Sequence, residues 1–145
     1  MTMKRYELYS KLTWGLFTVI MPMFLAAVGI VFAYASIQHP SPDAPPLVFV
    51  ILWLGGLGWA WYRMLQMPYR IETYEDGHIE FVSLIRRAVV SPRDVVSIKP
   101  KRLQPGFLVV RHTGGRFFMI NQFSGFHEFL TELKRANPAV EIVGC

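Results

Sequence analysis

Thiol chemistry is nearly absent: the chain has one cysteine, Cys145, among 145 residues. That excludes an internal disulfide and a thiolate metal cluster. Histidine gives no metal signal either. His39, His78, His112 and His127 are scattered, with no pair at ligand spacing and no H-E-x-x-H. There is no G-x-S-x-G elbow, no G-x-x-x-x-G-K-[ST] phosphate loop, and no G-x-G-x-x-G between a strand and a helix. Gly55-Gly56-Leu57-Gly58 lies inside an apolar run and reads as helix packing. Glu72, Glu75, Asp76 and Glu80 are explained by alternate strand positions facing water, without a paired acid and base. No catalysis, metal or cofactor is therefore expected.

Acids are also scarce, 10 against 15 Lys and Arg, for a net charge of +5. The hydrophobic fraction of 52% exceeds that of an ordinary soluble domain. Charge beside apolar spans reports membrane topology before it reports nucleic acid. Residues 13–37, TWGLFTVIMPMFLAAVGIVFAYASI, carry no ionisable group except the tyrosine phenol. At about 1.5 Å per residue they outrun a hydrocarbon core of about 30 Å. Pro22 removes one helix hydrogen bond, and a local kink is tolerated where a neighbour satisfies the freed carbonyl. QHPSPDAPP, residues 38–46, reads as a tight extracytoplasmic connection. Residues 47–67, LVFVILWLGGLGWAWYRMLQM, form the second span, with Arg63 able to snorkel to the headgroups.

Lys4, Arg5 and Lys11 precede the first span, Arg63 and Arg70 flank the end of the second, and the connection has no Lys or Arg. The positive-inside rule then puts both termini in the cytoplasm of a multi-pass protein of the cell (inner) membrane, with residues 1–12 a cytoplasmic segment. Trp14, Trp59, Trp61, Tyr62 and Tyr69 suit an aromatic belt on that side. Ala33-Tyr34-Ala35 resembles a signal-peptidase site, but the apolar run ahead of it exceeds the usual length of about 7–15 residues. Gly29 with Ala33, and Gly56 with Ala60, give small-xxx-small spacing, and Gly55, Gly56 and Gly58 crowd one stretch. Either the two spans pack on each other there, or a glycine face docks on another membrane protein.

From Pro68 the period changes. Residues 69–74 and 78–84 alternate like strands around an Asp-Gly hairpin signal at Glu75-Asp76-Gly77. Shorter strands are expected at 88–90 and 94–99, then a hairpin of 107–112 with 116–121 around Thr113-Gly114-Gly115. Phe126, Phe129, Leu130 and Leu133 fall at helical spacing behind a candidate N-cap, Ser124, and Asn137-Pro138 ends that helix. The fold class is α+β: a two-helix transmembrane hairpin, then at 68–145 a small antiparallel barrel or sandwich capped by a C-terminal helix.

Tyr74–Phe81, then RRAVVSPRDVVSI at residues 86–98, the Gly-Gly hairpin and the helix ending at Asn137-Pro138 together resemble the bacterial pleckstrin-homology-like (PH-like) domain family. The resemblance covers roughly residues 12–138 and implies a cytoplasmic PH-like barrel behind two transmembrane helices. Phosphoinositide-binding relatives place basic residues on the first two strands and their loop. The loop matched to that position here is the acidic Glu75-Asp76-Gly77, which departs from the pattern.

The stretch RRAVVSPRDVVSIKPKR, residues 86–102, bunches Arg86, Arg87, Arg93, Lys99, Lys101 and Arg102. Val89, Val90, Val96 and Ile98 are expected to supply core. Phe117, Phe118 and Phe123 suit core or helix-facing positions better than a nucleic-acid stacking platform, so no nucleic-acid partner is expected. The function these features imply is a noncatalytic membrane-anchored interaction or assembly module, an accessory subunit or scaffold with membrane lipids and membrane-protein partners. The alternative is a binder of anionic headgroups through the basic stretch, where each Lys or Arg near the surface adds about 1 kcal/mol.

Overall fold

The computed structural model describes residues 4–39 and 46–144. Most of the expected connection at 38–46, and Cys145, lie outside the described residues. The chain divides into two compact units, one of Leu12–Leu65, the other joining the segment that ends at Lys11 to the chain from Gln66 onward.

The first unit is the apolar hairpin. Helix α1 (Lys11–Gly15) continues through a π-helical turn (Leu16–Ile20) into α2 (Met21–Gln38), and α3 (Leu47–Leu65) follows. Both helical stretches are long and apolar enough to cross a membrane. Phe24, Val31, Phe49 and Leu52 are among the many large apolar side chains they expose, which suits lipid better than water. The π turn sits where Pro22 has no N–H to give. In α-helical register that N–H would go to the carbonyl of Thr18, four residues back. Trp61 of α3 supplies the missing donor: its Nε1–H donates to the Thr18 carbonyl oxygen at 2.7 Å. The local kink expected at Pro22 is thus satisfied from the second helix.

The second unit is α+β. Sheet A has the order β1 (Lys4–Glu7), β2 (Arg70–Thr73), β3 (Ile79–Val82), β4 (Arg87–Val90), all antiparallel. Sheet B has the order β7 (Gly115–Ile120), β6 (Phe107–His112), β5 (Val95–Pro100), β8 (Glu141–Ile142), with β8 parallel to β5. A one-residue bridge, Leu8 to Phe123, links the sheets, and among the described residues they do not close into a barrel. Two strands had no sequence signal. β1 lies ahead of the apolar hairpin, in what reads as a bare N-terminal segment, and β8 is too short to show a period. Because β1 precedes it, the Glu75-Asp76-Gly77 turn joins the second strand to the third, and the connection between the first two strands is the apolar hairpin itself. Gly77 adopts φ +88°, which its turn requires.

Helix α4 (Phe126–Ala136) buries Phe126, Phe129, Leu130 and Leu133, the stripe predicted by their spacing. The Phe129 ring meets Tyr6, Phe81 and Phe126, so the helix closes the core between the sheets. Its N-cap is Gly125 at φ +72° rather than the expected Ser124, whose N–H donates to the Glu7 carbonyl of β1. At the other end the Asn137 side chain donates to the carbonyls of Pro92 and Val95, at 3.0 and 2.9 Å. Within the basic stretch, Val90 and Ile98 are core, but Val89 and Val96 are 65% and 54% exposed. The reason is strand alternation: β4 turns Val90 inward and Val89 outward, while a bulge between Val95 and Ser97 leaves Val96 outside. Phe117 and Phe123 are buried, and Phe118, on the opposite face of β7 from Phe117, is half-buried.

Candidate functional site

The six cations of residues 86–102 do not share one face. Arg86 belongs to a tight turn from Ser83 to Arg86, locked by the Ser83 N–H to the Arg86 carbonyl at 2.9 Å and the Arg86 N–H to Ser83 Oγ at 3.0 Å. Arg87 opens β4, exposed, with Nη1 3.7 Å from Glu80 Oε1. Arg93 sits in a 3₁₀ turn (Pro92–Asp94) at the opposite end of sheet A. Lys99 pairs with Glu141 of β8 at 2.6 Å. Lys101 is half-buried, its Nζ 5.0 Å from the centre of the Phe118 ring and 2.5 Å from Gln104 Oε1. Arg102 is exposed in the loop between β5 and β6 and makes no ion pair among the described residues. Lys99 and Lys101 are therefore tied up within the domain, Arg93 is remote, and Arg86, Arg87 and Arg102 face solvent.

A groove of about 350 Å³ follows the β3–β4 turn, lined by Tyr69, Val82, Ser83, Leu84, Ile85 and both arginines. Leu84 and Ile85 are about half exposed and Leu103 is 89% exposed, each next to or one residue from a free arginine. Sequence reasoning passed over these three aliphatics. The available signal was their place at turn positions, where an apolar side chain has no core to reach.

Two polar clusters stiffen the domain. The Lys4 ammonium donates to Glu128 at 2.7 Å and to Glu132 at 2.5 Å, while the Tyr6 hydroxyl donates to Glu132 at 2.8 Å, so β1 is fastened to α4. Those bonds raise the pKa of Lys4. The Lys4 bond, helped by Tyr6, holds Glu132 below the usual carboxylate range, and burial plus the Glu132 bond pushes Tyr6 up to about 12. The second cluster corrects the expectation that Glu72 faces water. It is 7% exposed, flanked by the Nε atoms of Arg5 at 3.3 Å and Arg70 at 3.2 Å, with the Tyr74 hydroxyl at 3.1 Å. Its cross-strand partner Glu80 reaches the same hydroxyl at 3.2 Å. This carboxylate pair is bridged by a phenol and flanked by arginines on a sheet face. Among the described residues no group of three or more His, Cys, Asp or Glu is placed to hold a metal ion.

In the hairpin, the small residues divide. A side chain added at Gly29 would run into Leu54 and Trp53, at 2.6 and 3.1 Å, so this is where the helices meet. Ala33 is half-buried. Gly55, Gly56 and Ala60 are exposed, and a Cβ at either glycine would meet nothing within 4 Å. The packing contact therefore runs through Gly29, and the Gly55-Gly56 face points outward because α3 turns Trp53 and Leu54 toward α2 instead.

Comparison of the chain with protein-family models, curated proteins and solved structures gives no match.

Proposed function

We propose that the chain is a noncatalytic interaction module held at the cytoplasmic face of the inner membrane, an accessory subunit or scaffold of a larger membrane assembly. The observation that carries this reading is the pairing of β1 with β2 across the apolar hairpin. A domain that recruits strands from both flanks of a hairpin needs both ends of that hairpin on one side, which is what the cations beside the two spans favour on independent grounds. Two four-stranded sheets with a C-terminal helix over their core support the PH-like reading, with the hairpin inserted in the first loop.

Recruitment by such a module uses its sheet edges and its outward lipid-facing surface. β4 is an unpaired edge, and its register makes Val89 a non-hydrogen-bonded partner of Glu80, so the Val89 N–H and carbonyl point away from β3 toward any incoming strand. The glycine face of α3 offers close approach to a transmembrane helix. The test is copurification from membranes in mild detergent. A membrane protein should accompany the chain in fixed ratio and be lost with Val89→Pro, which removes the outward donor but leaves the β3–β4 ladder whole. A chain that runs alone would end this reading.

A further inference from the structure

We propose that the loops Ser83–Arg87 and Lys101–Gly106 form a face that docks on the anionic lipid surface, with Leu84, Ile85 and Leu103 entering the headgroup layer and Arg86, Arg87 and Arg102 on the lipid phosphates. The proposal rests on the anchor reading above and adds a surface to it.

The hydrogen bonds of the domain fix where these loops lie. The Leu8 N–H donates to the Tyr69 carbonyl and the Tyr69 N–H to Val82, so β1, β2 and the β3–β4 turn share one end of sheet A. The Tyr9 N–H donates to the Gln122 carbonyl, and the adjacent Asn121 N–H to Gly106, which brings the β5–β6 loop to the same end. Tyr9 is two residues ahead of α1, and Tyr69 four residues beyond α3. This is therefore the end from which both connections to the hairpin leave, so on the anchor reading the short chain lengths leave it within reach of the lipid surface.

Its composition matches that position. The segments 7–11, 68–70, 83–87, 101–106 and 120–123 contain six cations and one acid, Glu7, whose carboxylate is taken by Lys11. At the opposite end the turns carry Glu75, Asp76 and Asp94 against Arg93. The three aliphatics and the 75% exposed Tyr9 lie in the open at this end, each within two residues of Lys11, Arg86 or Arg102 in the sequence. Apolar tips inside a basic rim are the pattern of an interfacial anchor, buried about 5–10 Å into the headgroup and acyl boundary.

The experiment uses the full chain with Cys145→Ser, reconstituted in phosphatidylethanolamine vesicles containing phosphatidylglycerol. Nitroxide labels go on Ile85→Cys and Leu103→Cys, with Asp76→Cys as the water control and Ile30→Cys as the hairpin control. Accessibility to oxygen against a nickel chelate reads depth. Labels at 85 and 103 should be oxygen-rich and nickel-poor, between the values at 76 and 30. Both should move toward water when Arg86, Arg87 and Arg102 become glutamine, or when phosphatidylcholine replaces phosphatidylglycerol. Labels at 85 and 103 as wet as 76, with 30 deep, overturn the proposal alone. Labels shut off from both reagents mark a protein contact and overturn it too. A wet label at 30 overturns the anchor reading itself.

Discussion

Replacing Trp61 with phenylalanine keeps most of the ring and removes one hydrogen bond, the indole N–H to the Thr18 carbonyl at 2.7 Å. Thr18 is 1% exposed, so no water stands ready to replace that donor. Interhelical hydrogen bonds in membranes are worth about 0.6 kcal/mol on average and about 1.7 at most. Leaving a buried carbonyl unmade costs about 1–3 kcal/mol. A loss near 1 kcal/mol is expected, about fivefold in the folded-to-unfolded ratio of the hairpin. Pro22→Ala supplies the control, because alanine restores an N–H that can reach the same carbonyl. In that background Trp61→Phe should cost only about 0.3 kcal/mol, a coupling resolvable by a double-mutant cycle. The assay is detergent-denaturant titration of the full chain in mixed micelles, read by energy transfer between dyes on the two helices. Equal costs in both backgrounds would refute the idea that the indole serves the carbonyl Pro22 leaves free.

Gly29→Val should loosen the hairpin in the same titration, since its added methyls meet Leu54 and Trp53, whereas Gly56→Val should leave it unchanged. Phe129→Ala empties a site in contact with three rings and should cost the α+β unit about 3–5 kcal/mol, measured by pulse proteolysis. Glu132 ionises more readily folded than unfolded, so its contribution is present above the ordinary carboxylate range and fades as pH falls through its depressed value. Acid titration of stability should show that loss in the parent chain, and Glu132→Gln should flatten it.

Much of this fold was readable from spacing. The two apolar runs showed by their length and lack of charge, the Asp-Gly and Thr113-Gly114-Gly115 hairpins by their turn residues, and the α4 stripe by a helical period, because that helix buries one face. β1 had none: four residues, three of them charged, find their partners only after a 62-residue excursion from Glu7 to Arg70. β8 has two residues and borrows its geometry from β5. The bulge in β5 moved Val96 outward, and no alternation rule shows where a strand slips by one. Of the basic stretch, the sequence carries the charges but not their partners, so Lys99 and Lys101 were indistinguishable from Arg102 until Glu141 and Phe118 came beside them. The glycines likewise had the right spacing for contact, and the facing of α3 selected Gly29.

The central claim is that one domain is assembled from both flanks of the apolar hairpin, and a cross-link tests it most directly. Glu7 and Arg70 are direct partners on β1 and β2, and the Leu8 to Tyr69 bond makes them a non-hydrogen-bonded pair, with Cα atoms about 4.5 Å apart and within disulfide reach. In membranes carrying the Cys145→Ser chain with Glu7→Cys and Arg70→Cys, mild oxidation should form an intramolecular disulfide as readily as the β3–β4 pair Glu80→Cys and Val89→Cys. Free thiols at 7 and 70, beside a formed 80–89 bond, would contradict it.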